Sequence, residues 1–579
     1  MAKISINIAT GSLQQQEMIV GIDLGTTNSL VAVIHPDSKK PSVLKEFDGV
    51  ALVPSVIHFG EGGIVSVGDM AKTKLIEEPQ NTIFSVKRLM GKSHNDVKQY
   101  TGFHTYKVID DNTDSLVKVQ VGDKFYSPIE LSSYILKELK NRAEHILKTP
   151  VNKAVITVPA YFNDAQRQAT RDAGKLAGLD VLRIVNEPTA ASLAYGIGLN
   201  KDETKTIAVY DLGGGTFDVS VLRIAGGIFE VLSTNGDTYL GGDDFDLAIV
   251  NYWTEKLEIT SEVLQSDKKL LQELRLLAEK AKIHLSANES FKGSAASYQV
   301  ELSKIDFEKL ILPYIQQTIK CCSNALKDAE LTSKDINEVI MVGGSTRVPS
   351  VKNSVADYFG KPVHDSLNPD EVVALGAAVQ ADILAGNNKD LLLLDITPLS
   401  LGIETMGGLM DMLIPRNSKI PSKASRQYTT QKDGQSGIRI SVYQGERDLV
   451  KDNRKLAEFN LTGIPGMPAG LPKIEVSFLV NADGILLVKA KELRSGVEQS
   501  IEVKPQYGLT DEEVEKMLLD SVTNAKDDIQ IRALVEAQTE ATQLIDTTQK
   551  FLQKNSELLS EQEKSNTGNA ILELRTMMK

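Results

Sequence analysis

The sequence has few cysteines and no long apolar run, and both shortages limit what the protein can be. Its only cysteines, Cys321 and Cys322, are adjacent in an apolar stretch that the pattern predicts to be helical, where a vicinal bridge would strain the disulfide geometry. No apolar run approaches the roughly 20 residues that a bilayer-spanning helix needs. The formal net charge of -13 repels nucleic-acid phosphates, and no Lys/Arg block overrides it. These features argue against a disulfide-stapled protein and against nucleic acid or a membrane as partner.

The start of the chain lacks the pattern of an export signal. A charged segment, an apolar segment and a small-residue cleavage site are all missing there, so we expect a cytoplasmic protein. Residues 1–17 end in a Gln-rich run and predict a loosely ordered N-terminal extension. At 579 residues the chain is long enough for several domains, each with its own core.

Residues 18–388 alternate short β-branched strands with amphipathic helices, which is typical of an α/β architecture. The clearest strands are predicted at 19–22, 154–158, 206–210 and 339–342. Two strands end in the same Asp-Leu-Gly sequence, at Asp23 and at Asp211, and each is followed by threonine. This echo predicts a duplicated domain with two lobes.

Beyond residue 388 the pattern changes twice. The interdomain linker, residues 389–396, holds four leucines between acidic residues. Residues 397–506 predict an all-β sandwich, because short alternating strands are separated by Gly, Asn and Asp turns. Its clearest strands are predicted at 438–443, 474–480 and 484–490. Residues 507–579 predict helices, which begin at a segment, 510–513, with the spacing of a capping box.

Two glycine-rich loops carry the residue types that bind a nucleotide phosphate tail. Glycines let backbone amides approach phosphate oxygens closely. The loops consist of Gly25, Thr26, Thr27 and Asn28, and of Gly213, Gly214, Gly215 and Thr216. The leading carboxylates of Asp23 and Asp211 could face each other across a cleft and hold Mg²⁺, largely through its waters. Either loop alone is more often an ordinary glycine turn, so only the pair indicates a nucleotide.

Other phosphate-binding motifs are incomplete. At Gly91-Lys92-Ser93 the Walker A pattern fails, because Val86 stands where its first glycine belongs. A third glycine turn, residues 343–349, follows an apolar strand and could admit a flat base, with the Arg347 guanidinium available for stacking. A plain strand-to-helix turn is the alternative for this segment.

In this order, the motifs resemble the actin-like ATPase domain of the seventy-kilodalton heat-shock (DnaK-type) chaperones, and the match continues through nearly all of residues 18–579. Further matching segments are 158–167, 186–191, 279–282 and 368–371. The resemblance implies an α/β actin-like two-lobed ATPase domain, followed by an all-β sandwich peptide-binding domain and a short α-helical lid. It also implies an ATP hydrolase that uses ATP/ADP and Mg²⁺, with K⁺ as an option. Its partners would be extended hydrophobic segments of client polypeptides and a J-domain co-chaperone.

The resemblance assigns nucleotide-site roles residue by residue. The catalytic set is Asp23, Lys87, Glu187, Asp211, Thr216 and Asp218. Within it, Asp23, Glu187 and Asp211 would order Mg²⁺ and its water shell, and Lys87 would align the attacking water and the γ-phosphate. Besides the two loops, the nucleotide-binding set contains Glu279, Lys282, Ser286, Gly343, Gly344, Ser345, Arg347 and Asp370. By residue type alone, Lys87 with its neighbour Arg88 is typical of a solvated surface.

The linker leucines and an apolar cleft in the sandwich are the remaining expected sites. Docking each of the four leucines contributes roughly 1.5–3 kcal/mol, and several together reach the roughly 5.5 kcal/mol that a two-state switch needs. These leucines are Leu391, Leu392, Leu393 and Leu394. A strand permanently buried at the sandwich edge is the alternative. By resemblance, the peptide cleft is lined by Ile403, Met406, Tyr428, Gln431, Ile438 and Ile440. Such residues, taken alone, are more often core.

Several back-half segments most resemble the branch of the family that serves iron–sulfur cluster assembly. They include residues 414–417, 445–450 and 503–511. That branch implies an iron–sulfur scaffold protein as client and needs no cluster in the chain itself. The stretch between Glu279 and Phe307 is shorter than in general DnaK proteins, so we expect little dependence on a nucleotide-exchange factor. The alternatives are a general protein-folding chaperone, a small-molecule kinase on the same fold and a filament-forming ATPase.

Overall fold

The computed structural model describes most of the chain from residue 18 onward, together with two short strands before it. The described ranges are 5–6, 13–14, 18–35, 38–92, 97, 104–109, 116–162, 164–196, 203–364, 367–388, 391–397, 399–482, 484–503 and 525–578. Ser5–Ile6 pairs antiparallel with Leu13–Gln14. The capping box predicted at 510–513 lies outside these ranges. Within them, no helix combines the length and the apolar character that crossing a membrane requires.

The first lobe, residues 18–196, is built on a mixed sheet that joins parallel strands to an antiparallel hairpin. In sheet order its strands are Asp180–Asn186, Lys153–Val158, Ile19–Asp23, Asn28–Ile34 and Pro41–Val43, and Val53–Pro54 pairs with the fourth. One small sheet contains Ile57–Phe59, Val65–Val67 and Thr82–Ile83. A second small sheet contains Lys107–Ile109, Lys118–Val121 and Lys124–Tyr126. The helices are Glu61–Gly63, Asp69–Lys72, Val86–Leu89, Pro128–Leu147, Asp164–Leu176 and Glu187–Gly196. The strands predicted at 19–22 and 154–158 are confirmed.

The second lobe, residues 203–364, repeats a feature of the first lobe: the strand that carries the aspartate pairs antiparallel with the strand that follows it. Its sheet order is Glu338–Val342, Lys205–Leu212, Phe217–Ala225, Ile228–Asp237, Leu392–Ile396 and Lys419–Ile420. A separate hairpin pairs Ser290–Ala295 with Tyr298–Ser303. The helices are Gly242–Lys256, Ser261–Ser266, Lys268–Leu285, Lys304–Asp328, Ser333–Asp335, Gly344–Arg347 and Pro349–Phe359. The strands predicted at 206–210 and 339–342 are confirmed.

The cysteine prediction is also confirmed. Cys321 and Cys322 lie in the helix Lys304–Asp328, where both are buried and unbridged. Burial raises the pKa of the Cys322 thiol. This thiol therefore stays neutral and behaves as a small apolar core group.

A helix of small residues, Val372–Leu384, packs directly against the central strand of the first lobe. A Cβ atom on Gly21 would lie 2.2 Å from the backbone nitrogen of Ala378, and one on Gly376 would lie 1.7 Å from the carbonyl oxygen of Ala190. No side chain fits at either position, so glycine is required for this close approach. The contact fixes the strand that ends in the predicted metal-binding aspartate.

The sandwich consists of two antiparallel sheets around one apolar core. One sheet has the order Leu409–Ile414, Leu401–Thr405, Gly437–Gln444 and Arg454–Thr462, and the other has the order Ser422–Tyr428, Ile474–Val480, Leu486–Glu492 and Glu498–Glu502. The strands predicted at 438–443 and 474–480 are confirmed. The strand predicted at 484–490 begins two residues later, because Gly484 has a positive φ of 81° and forms a turn with Asn481.

The described part of the predicted lid, residues 507–579, contains two long helices, Ala525–Lys554 and Glu561–Met577. The second helix begins with a capping box, in which the backbone nitrogen of Glu563 donates to Ser560 Oγ at 3.3 Å and that of Ser560 donates to Glu563 Oε2 at 2.9 Å. The charged amphipathic pattern predicted for this region therefore does form helices.

The linker strand, Leu392–Ile396, lies at the edge of the second lobe's sheet. It pairs in parallel with Ile228–Asp237 and antiparallel with Lys419–Ile420, which belongs to the region of the sandwich. Leu392 is 52% exposed, whereas Leu391 and Leu393 are half-buried against the core of the lobes. The strand thus has a neighbour on each side, one from each domain.

Candidate functional site

A cavity of about 480 Å³ lies between the two lobes and gathers the predicted nucleotide residues. It is lined by Asp23, Gly25, Thr26, Thr27, Asn28, Lys87, Glu187, Asp211, Gly213, Gly214, Thr216, Glu279, Lys282, Ser286, Gly343, Gly344, Ser345, Arg347 and Asp370, among others. Two predicted residues do not line it. Gly215 packs against Thr26 and Arg88, and Asp218 is 1% exposed and accepts a hydrogen bond from the backbone nitrogen of Tyr161 at 2.9 Å.

Three carboxylates and one ammonium group meet at the floor of the cavity. Lys87 Nζ donates to Glu187 Oε1 at 2.5 Å, and Thr157 Oγ1 donates to Asp23 Oδ1 at 3.0 Å. Burial and the charge of Glu187 raise the pKa of Asp23 to about 7. Burial likewise raises the pKa of Asp211, with a further contribution from Glu187. The floor therefore holds more carboxyl groups than its one lysine can neutralise, and the raised pKa values of Asp23 and Asp211 favour their protonated forms.

Lys87 remains charged in this setting. Burial opposes the charge, but the carboxylates of Glu187 and Asp23 outweigh that effect and raise the pKa of Lys87 above its ordinary value. The side chain is 6% exposed, so it is not the solvated surface lysine that its residue type suggests. A buried ammonium group of this kind is available for electrostatic work at neutral pH.

The two glycine loops meet across the cavity. A Cβ atom on Gly214 would lie 1.9 Å from Thr27 Oγ1. Each loop is closed by its own hydrogen bonds: the Gly25 nitrogen donates to Ser29 Oγ at 3.2 Å, and the Gly213 nitrogen donates to the carbonyl oxygen of Thr216 at 3.0 Å. Two hairpin turns from different lobes therefore present backbone and hydroxyl groups to one space.

The other end of the cavity is held by polar contacts of the third glycine turn. Ser345 Oγ donates to the carbonyl oxygen of Gly213 at 2.8 Å. Arg347 Nη2 donates to Asp370 Oδ2 at 2.6 Å and to Asn368 Oδ1 at 2.9 Å. The Arg347 side chain is 54% exposed and lines the cavity, which suits the predicted stacking on a flat ring.

The sequence prediction missed several cavity residues, above all Asp243, Asp246 and Arg275. Asp243 and Asp246 lie in the first turns of the helix Gly242–Lys256. Lys282 Nζ donates to Asp246 Oδ2 at 2.9 Å. Burial raises the pKa of Asp246 to about 7, with Lys282 opposing the shift. A Gly-Gly-Asp-Asp run at 241–244 was the available signal for this helix start.

The predicted peptide-binding residues occupy one part of the sandwich with different exposures. Ile403 and Ile440 are buried, at 3% and 2% exposure, in the sandwich core. Tyr428 and Ile438 are half-buried against that core, and Gln431 is exposed. Tyr428 Oη donates to Asp411 Oδ2 at 2.7 Å.

Met406 lies in a short turn that a lid helix contacts. Gln543 Nε2 lies 3.4 Å from Met406 Sδ. Next to it, a Cβ atom on Gly407 would lie 2.2 Å from Val535 Cγ1. The helix Ala525–Lys554 therefore lies against the loop that the family resemblance assigns to peptide binding.

Two ion pairs attach the same lid helix to loops of the sandwich. Arg532 Nη1 lies 2.6 Å from Asp448 Oδ1, and Lys550 Nζ lies 2.8 Å from Asp433 Oδ2. The first pair is partly shielded and the second is open to solvent. The lid is thus held at two points along its length.

Direct contacts connect the lobes to the linker and the sandwich. Asn186 Nδ2 donates to Asp395 Oδ2 at 2.7 Å, so the residue before the proposed metal-site Glu187 contacts the linker. Arg416 forms a two-pronged pair with Asp328, at 3.2 and 2.9 Å. A two-pronged arginine–carboxylate pair fixes orientation as well as distance.

Comparison with known proteins gives a consistent likeness along the chain. The family model described as Hsp70 protein matches residues 19–579. Chaperone protein HscA of Pectobacterium carotovorum subsp. carotovorum (strain PC1) is 48% identical over 567 residues, which is 97% of this chain and 90% of that protein. Both likenesses therefore include the lobes, the linker, the sandwich and the lid helices.

Proposed function

The chain belongs to the Hsp70 family of ATP-hydrolysing chaperones, and on that premise we propose how its residues bind nucleotide and control a client site. The family has a two-lobed ATPase domain, a β-sandwich and a helical lid. Its members bind nucleotide with a divalent metal, and they interact with client polypeptides and with a J-domain co-chaperone. We assign residues 18–388 to the ATPase domain, 389–396 to the linker, 397–506 to the sandwich and 507–579 to the lid.

We infer that the divalent ion is Mg²⁺ and that Asp23, Glu187 and Asp211 hold it mainly through its water shell. Carboxylate oxygens and water are the ligands that Mg²⁺ prefers. Among the described residues, Asp211 Oδ2 is buried without a hydrogen-bond donor, which suits an acceptor that receives a metal-bound water. When bound, the ion offsets the charge of the phosphate oxygens. K⁺ remains a further prediction for the same cavity.

Hydrolysis in this proposal depends on positioning and charge. Lys87, charged and buried, places positive charge beside the γ-phosphate and aligns the attacking water. The hydroxyls of Thr26, Thr27 and Thr216 approach the phosphates from the two loops. Asp218, behind the cavity wall, acts through the backbone of Tyr161 rather than by direct contact. Little covalent chemistry is left for the protein in such phosphoryl transfer.

The second lobe's sheet offers the route from the cavity to the client domain. The strand Lys205–Leu212 carries Asp211 at the cavity, and its neighbours in order are Phe217–Ala225, Ile228–Asp237 and the linker strand. A rotation of this lobe therefore moves the edge on which the linker lies. We propose that ATP favours the docked linker and low client affinity, and that hydrolysis favours the released linker and high affinity.

The client is proposed to bind as an extended apolar segment in the sandwich, against Ile403, Met406, Tyr428, Gln431, Ile438 and Ile440. Backbone hydrogen bonds would give affinity, and apolar side chains would give selectivity. Since Ile403 and Ile440 are buried in the sandwich core here, that core must open locally before a client can contact them.

We further propose that the chain serves iron–sulfur cluster assembly, with an iron–sulfur scaffold protein as client. The supports are the 48% identity to a protein named HscA and the back-half segments described above. The hairpin of Ser290–Ala295 and Tyr298–Ser303 has strands of only six residues each, which supports little dependence on a nucleotide-exchange factor. A general protein-folding chaperone remains the second candidate, and a cytoplasmic location stays a prediction.

The observation that carries the proposal is the placement of Asp23 and Asp211 on opposite lobes of one cavity that also contains Lys87. The test measures ATP turnover alone, with a short generic apolar peptide, and with an iron–sulfur scaffold protein. Stimulation by the scaffold at concentrations where the generic peptide has no effect supports the specialised role. Equal stimulation favours the general chaperone, and phosphorylation of an added sugar or polyol would instead indicate a kinase.

A further inference from the structure

Arg88, the residue after Lys87, ties the first lobe to the second. It is 7% exposed. Its Nε donates to the carbonyl oxygen of Gly215 at 3.0 Å, and its Nη2 donates to Asp244 Oδ2 at 2.5 Å and to the carbonyl oxygen of Tyr239 at 3.4 Å. All three acceptors belong to the second lobe. The segment with the proposed catalytic lysine is therefore anchored across the cleft.

Ser85 provides a second anchor on the other side of Lys87. Its Oγ donates to Asp243 Oδ2 at 2.7 Å, again across the lobes. Ser85 has a φ of 53°, which non-glycine residues rarely adopt, so surrounding contacts must hold this backbone. The Arg275 guanidinium lies 3.8 Å from the ring centre of Phe84 and adds a cation–π contact from the second lobe.

The contacts of Arg88 can form only when the two lobes are closed, because closure is what buries the arginine together with the carboxylates of Asp243 and Asp244. Burial opposes the charge of Arg88, but the carboxylates of Asp244 and Asp243 outweigh it and raise the pKa of the guanidinium. A charge that stays buried after losing its partner raises the free energy, whereas a charge in water does not. When the lobes separate, the arginine and both carboxylates must therefore become exposed to water together.

We propose that Arg88 and Ser85 are positioning residues, which fix the Lys87 segment to the second lobe so that Lys87 is aligned only when the lobes close. The inference rests on the proposed catalytic role of Lys87. A displacement of about 1 Å in a catalytic group can cost roughly a hundredfold in rate. Closure of the cleft would thus be coupled to hydrolysis through the chain itself, at residues that do not touch the nucleotide.

The test uses the full chain, single-turnover hydrolysis at saturating ATP and separate measurement of the nucleotide dissociation constant. Arg88→Ala is expected to slow hydrolysis about tenfold or more and to change the dissociation constant less than about threefold. Arg88→Lys keeps the charge but cannot reproduce the fork of donors, so it should fall between the parent and the alanine variant. Ser85→Ala should slow hydrolysis about two- to threefold.

Arg142→Ala is the matched control. Arg142 is a largely buried arginine whose Nε lies 3.1 Å from Glu46 Oε1, and both residues belong to the first lobe. Its loss should leave the hydrolysis rate within about twofold of the parent, because its described contacts, to Glu46 and to the carbonyl oxygen of Ala51, lie within the first lobe. If Arg142→Ala and Arg88→Ala slow hydrolysis equally, the effect of Arg88 is general destabilisation and the proposal is overturned.

A double-mutant cycle with Lys87 separates positioning from independent effects. If Arg88 acts through Lys87, Arg88→Ala should cause no further loss in a Lys87→Ala background. Losses that multiply would overturn the proposal, as would an Arg88→Ala rate within about twofold of the parent. Should Arg88→Ala fail to fold, Ser85→Ala decides by its own rate. Normal hydrolysis by Lys87→Ala would instead show that the proposed role of Lys87 is wrong.

Discussion

Buried residues serve opposite purposes in the cavity between the lobes and in the sandwich. At the cavity floor the buried groups are ionisable, and Lys87 is held by Glu187 at 2.5 Å. In the sandwich the buried groups are apolar, and Ile403 and Ile440 lie in the core. A buried charge needs a specific partner, whereas an apolar side chain accepts any apolar neighbour. The proposed nucleotide site can therefore be built in advance, but the proposed client site must be uncovered.

The largest expected effect comes from the charged side of this comparison. Lys87→Ala should lower ATP turnover about a hundredfold or more, because one buried electrostatic group at a reacting centre typically contributes that much. Nucleotide binding, measured by calorimetry, should change little, since the two loops and the third glycine turn remain. Near-normal turnover would refute the role assigned to Lys87.

Lys205→Ala is the control for this substitution. Lys205 Nζ lies 2.7 Å from Glu338 Oε1 in the second lobe, and this lysine does not line the cavity. It tests whether loss of any ion-paired lysine slows the enzyme. Its turnover should stay within about twofold of the parent, since partly exposed ion pairs contribute little.

The raised pKa of Asp23 predicts that the stability of the nucleotide-free protein depends on pH. Because the pKa of Asp23 is raised to about 7, this group keeps a proton in the folded, metal-free protein that the unfolded chain has already lost. Its contribution to stability is complete below the unfolded pKa of about 4 and is lost as pH rises through about 7. Thermal unfolding of the nucleotide-free protein should therefore shift to lower temperature over this range.

Cation binding should show the opposite trend. The proton on Asp23 must leave before the carboxylate can contact the water shell of a metal, so affinity for ATP with Mg²⁺ should fall by up to about tenfold per pH unit below about pH 7. Asp23→Asn should flatten this profile, and Asp433→Asn, at an exposed site on the sandwich, should not. An unchanged profile in Asp23→Asn would contradict the assignment.

A substitution in the linker should have a smaller effect than Lys87→Ala. The structure also shows which linker leucine to replace, which the sequence alone did not. Leu393 is half-buried against the core of the lobes, whereas Leu392 is 52% exposed. Leu393→Asp should therefore remove most of the stimulation of ATP turnover by peptide, because a charge cannot be buried there. Leu392→Asp, its neighbour, is the matched control and should retain stimulation. Full stimulation in both variants would make the linker a simple tether, and equal loss in both would contradict the assigned difference between the two leucines.

Much of the fold and the site could be predicted because the signals were local. Glycine and aspartate at the ends of β-branched strands mark a phosphate-binding edge, and the structure brings Asp23 and Asp211 to one cavity. The run at 241–244 marks a helix start, but the sequence does not show that Asp243 and Arg275 reach the cavity, because the place of their helices depends on packing between distant segments. Helix sequence alone does not reveal which face will meet another lobe.

The Lys87–Arg88 pair shows where residue statistics fail. Lysine and arginine are mostly exposed in proteins, yet these two are 6% and 7% exposed. Each is buried because the fold supplies a carboxylate, Glu187 for the lysine and Asp244 for the arginine. These partners lie 100 and 156 residues away in the sequence. No short motif encodes such pairings, so burial of the arginine emerged only from the three-dimensional arrangement.

The lid provides the smallest expected effect and tests how the apolar site is uncovered. Lys550 and Asp433 are 63% and 57% exposed, so solvent and salt screen their pair. Lys550→Ala should speed dissociation of a bound fluorescent peptide by no more than about twofold, and added salt should reduce the difference. Arg532→Ala removes the better shielded pair with Asp448 and should have the larger effect of the two. If Lys550→Ala has the larger effect instead, the end of the helix near Lys550 controls the opening of the proposed client site, rather than the segment beside Val535.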